Sequence, residues 1–262
     1  FTFRANGGRG LRFSTPVSDN IGILSTGKAF IGDLSEHTLE DAWTAGGNAT
    51  WYFGGSSSDY LSLDFFHSEF TEQQIIDFTD SEVHLNKLSS IAGGRSYTDN
   101  IQADLALEPL ERFTVNTTFR YTLAKASYEG KGLIDRPMIS RYKAVLNLQY
   151  STRLSRWIFD GTVSLNGPSE VYDFMRALRS SDGELLYASG RTPAYPLLYF
   201  QVTRRMKGWD IYIGGENLGG FRQKNVIISA PGERSFDASQ VWGPIMGAKI
   251  YAGVRFTIWK TY

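Results

Sequence analysis

Histidine is the side chain here best suited to hold haem or a transition metal, because neutral imidazole ligates near pH 7. The sequence has three: His37, His67 and His84. His37 stands among Asp33, Glu36 and Glu40, and His84 among Asp80 and Glu82, in stretches that read as loops; His67 lies near the end of an alternating apolar/polar segment. Histidine in an acidic loop is ordinarily solvated, so no metal and no cofactor is assigned. There is no cysteine, hence no thiolate site, disulfide or cysteine nucleophile. No spaced Ser/His/Asp set and no His–carboxylate strand pair stands out, so an enzyme is not expected. Gly7-Gly8-Arg9-Gly10 resembles a phosphate loop only superficially, because no helix follows it, and it reads as turn glycine. Asn48-Ala49-Thr50 and Asn116-Thr117-Thr118 match glycosylation sequons but fall within strand patterns. Across 170–179, Val171, Phe174, Met175 and Leu178 recur at helical spacing, which predicts a short helix inside a long loop.

The elements that carry these residues are strands. From 112 to 123 one parity reads Arg112, Thr114, Asn116, Thr118, Arg120, Thr122, and the other Phe113, Val115, Thr117, Phe119, Tyr121, Leu123. The same period of two predicts ten strands: 1–5, 42–53, 60–70, 98–108, 111–123, 142–151, 156–166, 197–205, 209–217 and 249–258. Most have the nine to eleven residues that a tilted strand needs to cross a bilayer. Their connections alternate between long (6–41, 71–97, 124–141, 167–196, 218–248) and short (54–59, 109–110, 152–155, 206–208), as outer-membrane barrels do with long extracellular loops and short periplasmic turns. Trp51, Tyr52, Phe53, Tyr150, Trp157, Trp209, Trp259 and Tyr262 gather at the short-turn rim, an aromatic girdle in sequence. Polar residues of the lumenal parity (Arg112, Arg120, Lys143, Arg156, Asp64, Asp104, Asp160) mix both signs and are expected to pair with one another. The fold class is therefore all-β, a transmembrane antiparallel barrel.

Composition narrows the function. With 27 basic and 27 acidic side chains there is no global charge to attract nucleic acid. No apolar run is long enough for a membrane helix. A 42% hydrophobic content argues against disorder. The chain opens on Phe1-Thr2-Phe3-Arg4 with no initiator methionine or signal peptide, and is expected to be processed or cut. Gly253, Phe256 and Ile258 match the last-strand insertion signal of such barrels, with Ala252 where a polar residue is usual.

The segments Trp209-Asp210-Ile211-Tyr212-Ile213-Gly214-Gly215-Glu216-Asn217-Leu218, Phe236-Asp237-Ala238-Ser239, Val241-Trp242-Gly243-Pro244-Ile245-Met246-Gly247 and Tyr251-Ala252-Gly253-Val254-Arg255-Phe256 together resemble the C-terminal end of TonB-dependent outer-membrane receptors, most closely the Bacteroidetes-type. Gly8-Arg9-Gly10-Leu11-Arg12 and Asp41-Ala42-Trp43 resemble upstream segments of the same receptors. One departure is that Gly219 and Gly220 precede Phe221 where an aromatic usually follows the leucine directly. The resemblance implies that 1–262 is about the last ten of 22 strands, with the N-terminal plug, the TonB-contacting segment and the first barrel half outside this chain. It also implies import of a scarce nutrient (siderophore, haem, vitamin, peptide or glycan), with the bilayer, TonB and the plug as partners and a surface lipoprotein as a further one. Ligand capture is expected from the long loops, with Arg95, Tyr97, Tyr172, Arg176 and Trp242 as candidates. Two other readings stay open: a self-contained ten-stranded barrel acting as adhesin, structural protein or surface enzyme, and a soluble carbohydrate-binding sandwich. Pairing of strand 1–5 with strand 249–258 would favour the first; partition without detergent would favour the second.

Overall fold

The computed structural model describes residues 1–32, 39–53, 58–180 and 182–257. Ten strands follow one another in a single antiparallel path: β1 (Thr2–Phe13), β3 (Leu39–Tyr52), β4 (Tyr60–Phe78), β6 (Ser96–Leu110), β7 (Phe113–Tyr128), β9 (Tyr142–Ser151), β10 (Trp157–Asn166), β11 (Tyr195–Met206), β12 (Trp209–Glu216) and β13 (Lys249–Phe256). Three shorter strands hang on the long-loop side: β2 (Ala29–Ile31) pairs in parallel with β5 (Glu82–Ser89), β5 extends β4, and β8 (Gly132–Asp135) extends β7. Every predicted strand is present, and long and short connections alternate along the whole path. Among the described strands β1 pairs only with β3 and β13 only with β12, so the ten form an open wall.

Register gives the wall two chemically distinct faces. Phe3, Ala49, Leu63, Ala103, Phe119, Ala144 and Leu165 stand side by side across seven strands. One residue along, Arg4, Asn48, Asp64, Gln102, Arg120, Lys143 and Asn166 do the same on the opposite face. The apolar face is bare: Phe3 is 75% exposed, Ile101 51% and Phe65 48%. An uncovered apolar face of this extent has the character of the lipid-facing band of a membrane barrel. Trp51, Tyr52, Tyr150, Trp157 and Trp209 are exposed at the short-turn ends, as the girdle predicts; Arg204 stacks 4.9 Å from the Trp157 ring. Trp259, Tyr262 and Ile258 lie outside the described residues.

The structure differs from the sequence reading in five places. β1 runs to Phe13 rather than ending near residue 5, and Gly7-Gly8-Arg9-Gly10 is a strand paired with Ala45, Thr44, Trp43 and Ala42. Glycine disfavours strands through entropy and missing contacts; here the partner strand supplies the ladder, and Arg9 clamps Asp41 with two 2.8 Å bonds. β4 and β7 continue far past 70 and 123, so loops 71–97 and 124–141 are largely sheet. Alternation fades there because Ile75 and Ile76 both find apolar neighbours, one in each of two small cores. The turn expected at Pro109 falls instead at Glu111-Arg112, with Arg112 at φ 67°; Pro109 sits in a register shift between Leu107 and Leu110, where no ladder donor is needed. The helix expected over 170–179 is a single 3-10 turn, Asp173–Ala177.

The last difference concerns the lumenal charges. Asp64 accepts from Asn48, and Ser62 donates to it at 3.3 Å; Asp104 accepts from Thr118 and Gln102, and Asp160 from Asn147. Amides and hydroxyls, not cations, satisfy these carboxylates, while Arg120 and Lys143 stand directly opposite each other with no ion pair among the described residues. Like charges cannot pair across a ladder, so the alternating pattern alone placed them on the right face but could not supply partners.

Candidate functional site

On the long-loop side the connections collapse against the ends of the strands and build their own cores. Ile75, Leu88, Ala126 and Tyr128 form one; Ile23, Phe78 and Val83 form a second, against which Phe30, Tyr172 and Phe174 pack; Val171, Met175 and Tyr187 form a third with Trp242 beside it. Each fully buried apolar side chain contributes roughly 1.5–3 kcal/mol, enough to hold these segments in place without a regular helix.

One buried ammonium joins four of them. The Lys28 side chain is fully covered; its Nζ donates to the carbonyls of Thr79 (2.7 Å) and Asp80 (2.6 Å), lies 3.8 Å from Asp237 Oδ2, and stands 4.2 Å over the Phe174 ring. Burial pulls the Lys28 pKa down, opposed by Asp237 and Asp80. Asp237 in turn accepts from Ser239 N, Ser239 Oγ and Gln240 Nε2. Gly27 N donates to Phe236 O and Ala238 N to Ser25 O, zipping the first long loop to the last. Asn217, at φ 48° and almost fully buried, donates to the carbonyls of Phe221 and Met246 and accepts from Phe221 N, so it closes the root of the last loop.

Two cavities open beside this assembly. The first, about 440 Å³, lies between the end of β4, the β7–β8 hairpin and the 3-10 turn. Lys131 bridges its wall, 2.8 Å from Asp77 and 3.1 Å from Asp173, and these bonds hold the ammonium pKa up against the lowering effect of burial. Arg176 and Tyr172 line the same cavity, and burial pushes the Tyr172 hydroxyl far above the ordinary tyrosine range. The second, about 210 Å³, has Trp242 and Phe221 in its wall with Arg222 and Lys224 beside them. Trp242 Nε1 donates to Tyr187 Oη (2.9 Å), and Tyr195 stacks on Phe221 with centroids 4.6 Å apart.

The five predicted ligand residues therefore divide among three places. Tyr172 and Arg176 come together at the larger cavity and Trp242 lines the smaller, whereas Arg95 and Tyr97 stand apart. Tyr97 shares a rung with Glu69 and Lys125 on the parity of Phe65 and Phe119, and Arg95 binds Glu69 (2.9 Å) and stacks on Tyr97 (4.7 Å). His67 lies one rung nearer the apolar band, with Nδ1 2.6 Å from Asp99 and Nε2 3.4 Å from Glu69; His84 contacts Glu82 (3.0 Å) on another strand, and His37 lies outside the described residues. No metal-binding group occurs among the described residues.

Sequence reasoning missed Lys28, Asp77 and Lys131, and named Asp237 only within the receptor-like segment Phe236-Asp237-Ala238-Ser239. Only Lys131 carries a local signal: Gly130 and Gly132, at φ 70° and 69°, mark a tight hairpin that presents the residue between them. Of the barrel-insertion residues, Gly253 faces the lumen under the Tyr212 ring, Phe256 is exposed on the apolar face, and Ile258 lies outside the described residues.

Neither protein-family models nor curated proteins match the sequence. Solved structures match in fold. A mutant of the ferric enterobactin receptor of Pseudomonas aeruginosa in complex with enterobactin superposes with a TM-score of 0.63 at 14% identity, over 96% of this chain and 38% of that one. The copper transporter OprC gives 0.63 at 13% identity, over 98% and 37%. The siderophore receptor PiuA of Acinetobacter baumannii gives 0.58 at 14% identity, over 97% and 34%. The chain thus spans little more than a third of the length of these solved receptors. At such identity the likeness is one of fold: an all-β wall of the kind that forms part of a TonB-dependent receptor barrel in the outer membrane.

Proposed function

We propose that this chain is the C-terminal part of the barrel of a TonB-dependent receptor, which captures a small nutrient at its loop-covered mouth and passes it inward along the polar face. The observation that carries the reading is the one-sided loop assembly. Long connections fold over the strand ends at one side of the wall and leave charged cavities, short turns end in an aromatic girdle, and between them one face is bare and apolar. In this reading the long loops are extracellular and the short turns periplasmic, the lumen holds a plug contributed by another part of the protein, TonB supplies energy, and a surface lipoprotein is a further partner. The self-contained ten-stranded barrel is supported less well, since β1 and β13 do not pair with each other.

The test is uptake by cells carrying the whole gene product, offered labelled ferric siderophores, haem, cobalamin, short peptides and oligosaccharides one at a time. Accumulation of one class that stops when the protein is deleted, when TonB is removed, or when the proton gradient is collapsed is the expected result. Normal growth and uptake of every class after deletion would overturn it.

A further inference from the structure

The smaller cavity selects a ligand class, and this inference rests on the receptor reading above. Arg222 and Lys224 stand in its wall and no carboxylate does. Both side chains are exposed, and neither makes an ion pair or a hydrogen bond with any described residue. In the larger cavity, by contrast, Asp77 and Asp173 hold Lys131, Glu170 holds Arg191, and Asp135 holds Arg141. Two like charges beside one small space lack a counterion, and an anion bound there is attracted by both. A carboxylate suits the arginine in particular, because the planar guanidinium can donate two parallel bonds to it.

The backbone that carries these cations is fixed. Gln223, between them, is buried; its side chain accepts from Trp242 N (2.8 Å) and Gly243 N (3.1 Å) and donates to Gln240 O (2.8 Å), and its own N donates to Pro244 O (2.8 Å). The Arg222 guanidinium lies against Gly247, where an added Cβ would come 2.6 Å from Nε. A preformed site loses little affinity to ordering. The rest of the wall is apolar: Phe221 and Trp242 meet at 54° with centroids 6.1 Å apart, and Leu186 and Pro193 stand beside them. Tyr187 brings the one hydroxyl of the described lining, and it already accepts from Trp242 Nε1. A sugar would find too few hydrogen-bonding groups here, and a bare phosphate would leave the rings unused. The volume, about 210 Å³, is below the roughly 300–1,000 Å³ of sites for drug-sized ligands and suits a single ring with one charged substituent. Tyr195, stacked on Phe221, shares a rung with Asn166 on the polar face, so the aromatic cluster stands on the lumenal side of the wall.

We propose that this cavity binds an aromatic carboxylate of one ring, with the ring against Phe221 and Trp242 and the carboxylate on Arg222 and Lys224. The probe is benzoate, titrated calorimetrically into the intact receptor in nanodiscs, with benzamide as the uncharged isostere and inorganic phosphate as the bare anion. The expected result is that benzoate binds, that benzamide binds about tenfold more weakly, and that phosphate does not compete. Arg222→Gln and Lys224→Gln should each weaken benzoate about tenfold and leave benzamide unchanged, whereas Phe221→Leu should weaken both. Heat-modifiable gel mobility shows that each variant is folded, and Lys224→Gln carries the test alone should Arg222→Gln fail to fold. Absence of benzoate binding, equal binding of benzoate and benzamide, benzoate binding untouched by the glutamine substitutions, or phosphate competing as well as benzoate overturns the proposal. If cells import a nutrient in an energy-dependent way while benzoate does not bind, this proposal falls and the receptor reading stands. If benzoate binds with the predicted charge dependence while no energised uptake is found, the site stands and the import reading falls.

Discussion

Replacing Lys28 with methionine keeps the aliphatic stem and deletes the ammonium that joins four loop segments. The carbonyls of Thr79 and Asp80 lose their donor, at roughly 1–3 kcal/mol for each acceptor left unsatisfied. Asp237 loses its cation at 3.8 Å but keeps Ser239 N, Ser239 Oγ and Gln240 Nε2 as donors, so it adds little. Relief of burying the ammonium offsets part of the loss, and breaking one side of a buried pair costs about 3–5 kcal/mol overall. A value near 3 kcal/mol corresponds to about a hundredfold rise in the open population of the loops. Hydrogen exchange on the intact receptor reads it directly: the amides of Gly27, Ala29 and Ala238, which bond Phe236, Ser81 and Ser25, should exchange about two orders of magnitude faster. Amides of β9 and β10 should be unchanged. Asp237→Asn, which removes a charge but no direct hydrogen bond to Lys28, should raise exchange at the same amides by no more than about tenfold. Unaltered protection in Lys28→Met, or equal acceleration throughout the sheet, would refute the account of a single keyed assembly.

Gly27→Ala should open the same loops, because a Cβ there would lie 2.5 Å from the Glu233 carbonyl oxygen, and its exchange pattern should reproduce that of Lys28→Met. Gly46→Ala, which places a methyl 2.6 Å from the Phe65 carbonyl oxygen and against the Phe66 ring, should destabilise the wall by about 1–3 kcal/mol, whereas Gly8→Ala, which meets nothing within 4 Å, should leave heat-modifiable mobility unchanged. Burial raises the hydroxyl pKa of Tyr172, and likewise that of Tyr187 against the lowering effect of its bond from Trp242. The folded loops then hold protons that the unfolded chain releases near pH 10, so loop stability should fall as pH rises above about 10; tyrosinate absorbance that appears together with loss of loop protection checks this. Arg176→Gln should weaken binding of whichever ligand the intact receptor takes, and Arg95→Gln should not, since Arg95 is engaged with Glu69 on the other side of the wall.

The period of two carried most of the fold, because a strand with one greasy and one polar face writes its orientation into every pair of residues. It failed where both faces are covered, as at Ile75-Ile76, and where side chains are missing, as in Gly7-Gly8-Arg9-Gly10. The candidate site was legible only in part. Tyr172, Arg176 and Trp242 were reachable as aromatic and basic residues of long loops. Arg95 and Tyr97 were drawn from the same composition, yet register sets Tyr97, and the Arg95 bonded and stacked beside it, on the outward parity, which a loop boundary misplaced by a few residues conceals. Lys28 and Asp237 are 209 positions apart in sequence, and no local pattern announces a pair that only loop packing creates.

The central claim is that alternate residues of this wall meet lipid and an aqueous lumen. The chain contains no cysteine, so single cysteines can be placed in it without background. In the whole protein in its native membrane, fluorophores at Leu63, Phe65, Ile101, Phe119 and Leu148 should be quenched by lipid-borne nitroxide and protected from a water-soluble quencher, and those at Asp64, Gln102 and Arg120 should show the reverse. Loss of that alternation, with both sets equally open to water, would contradict the account.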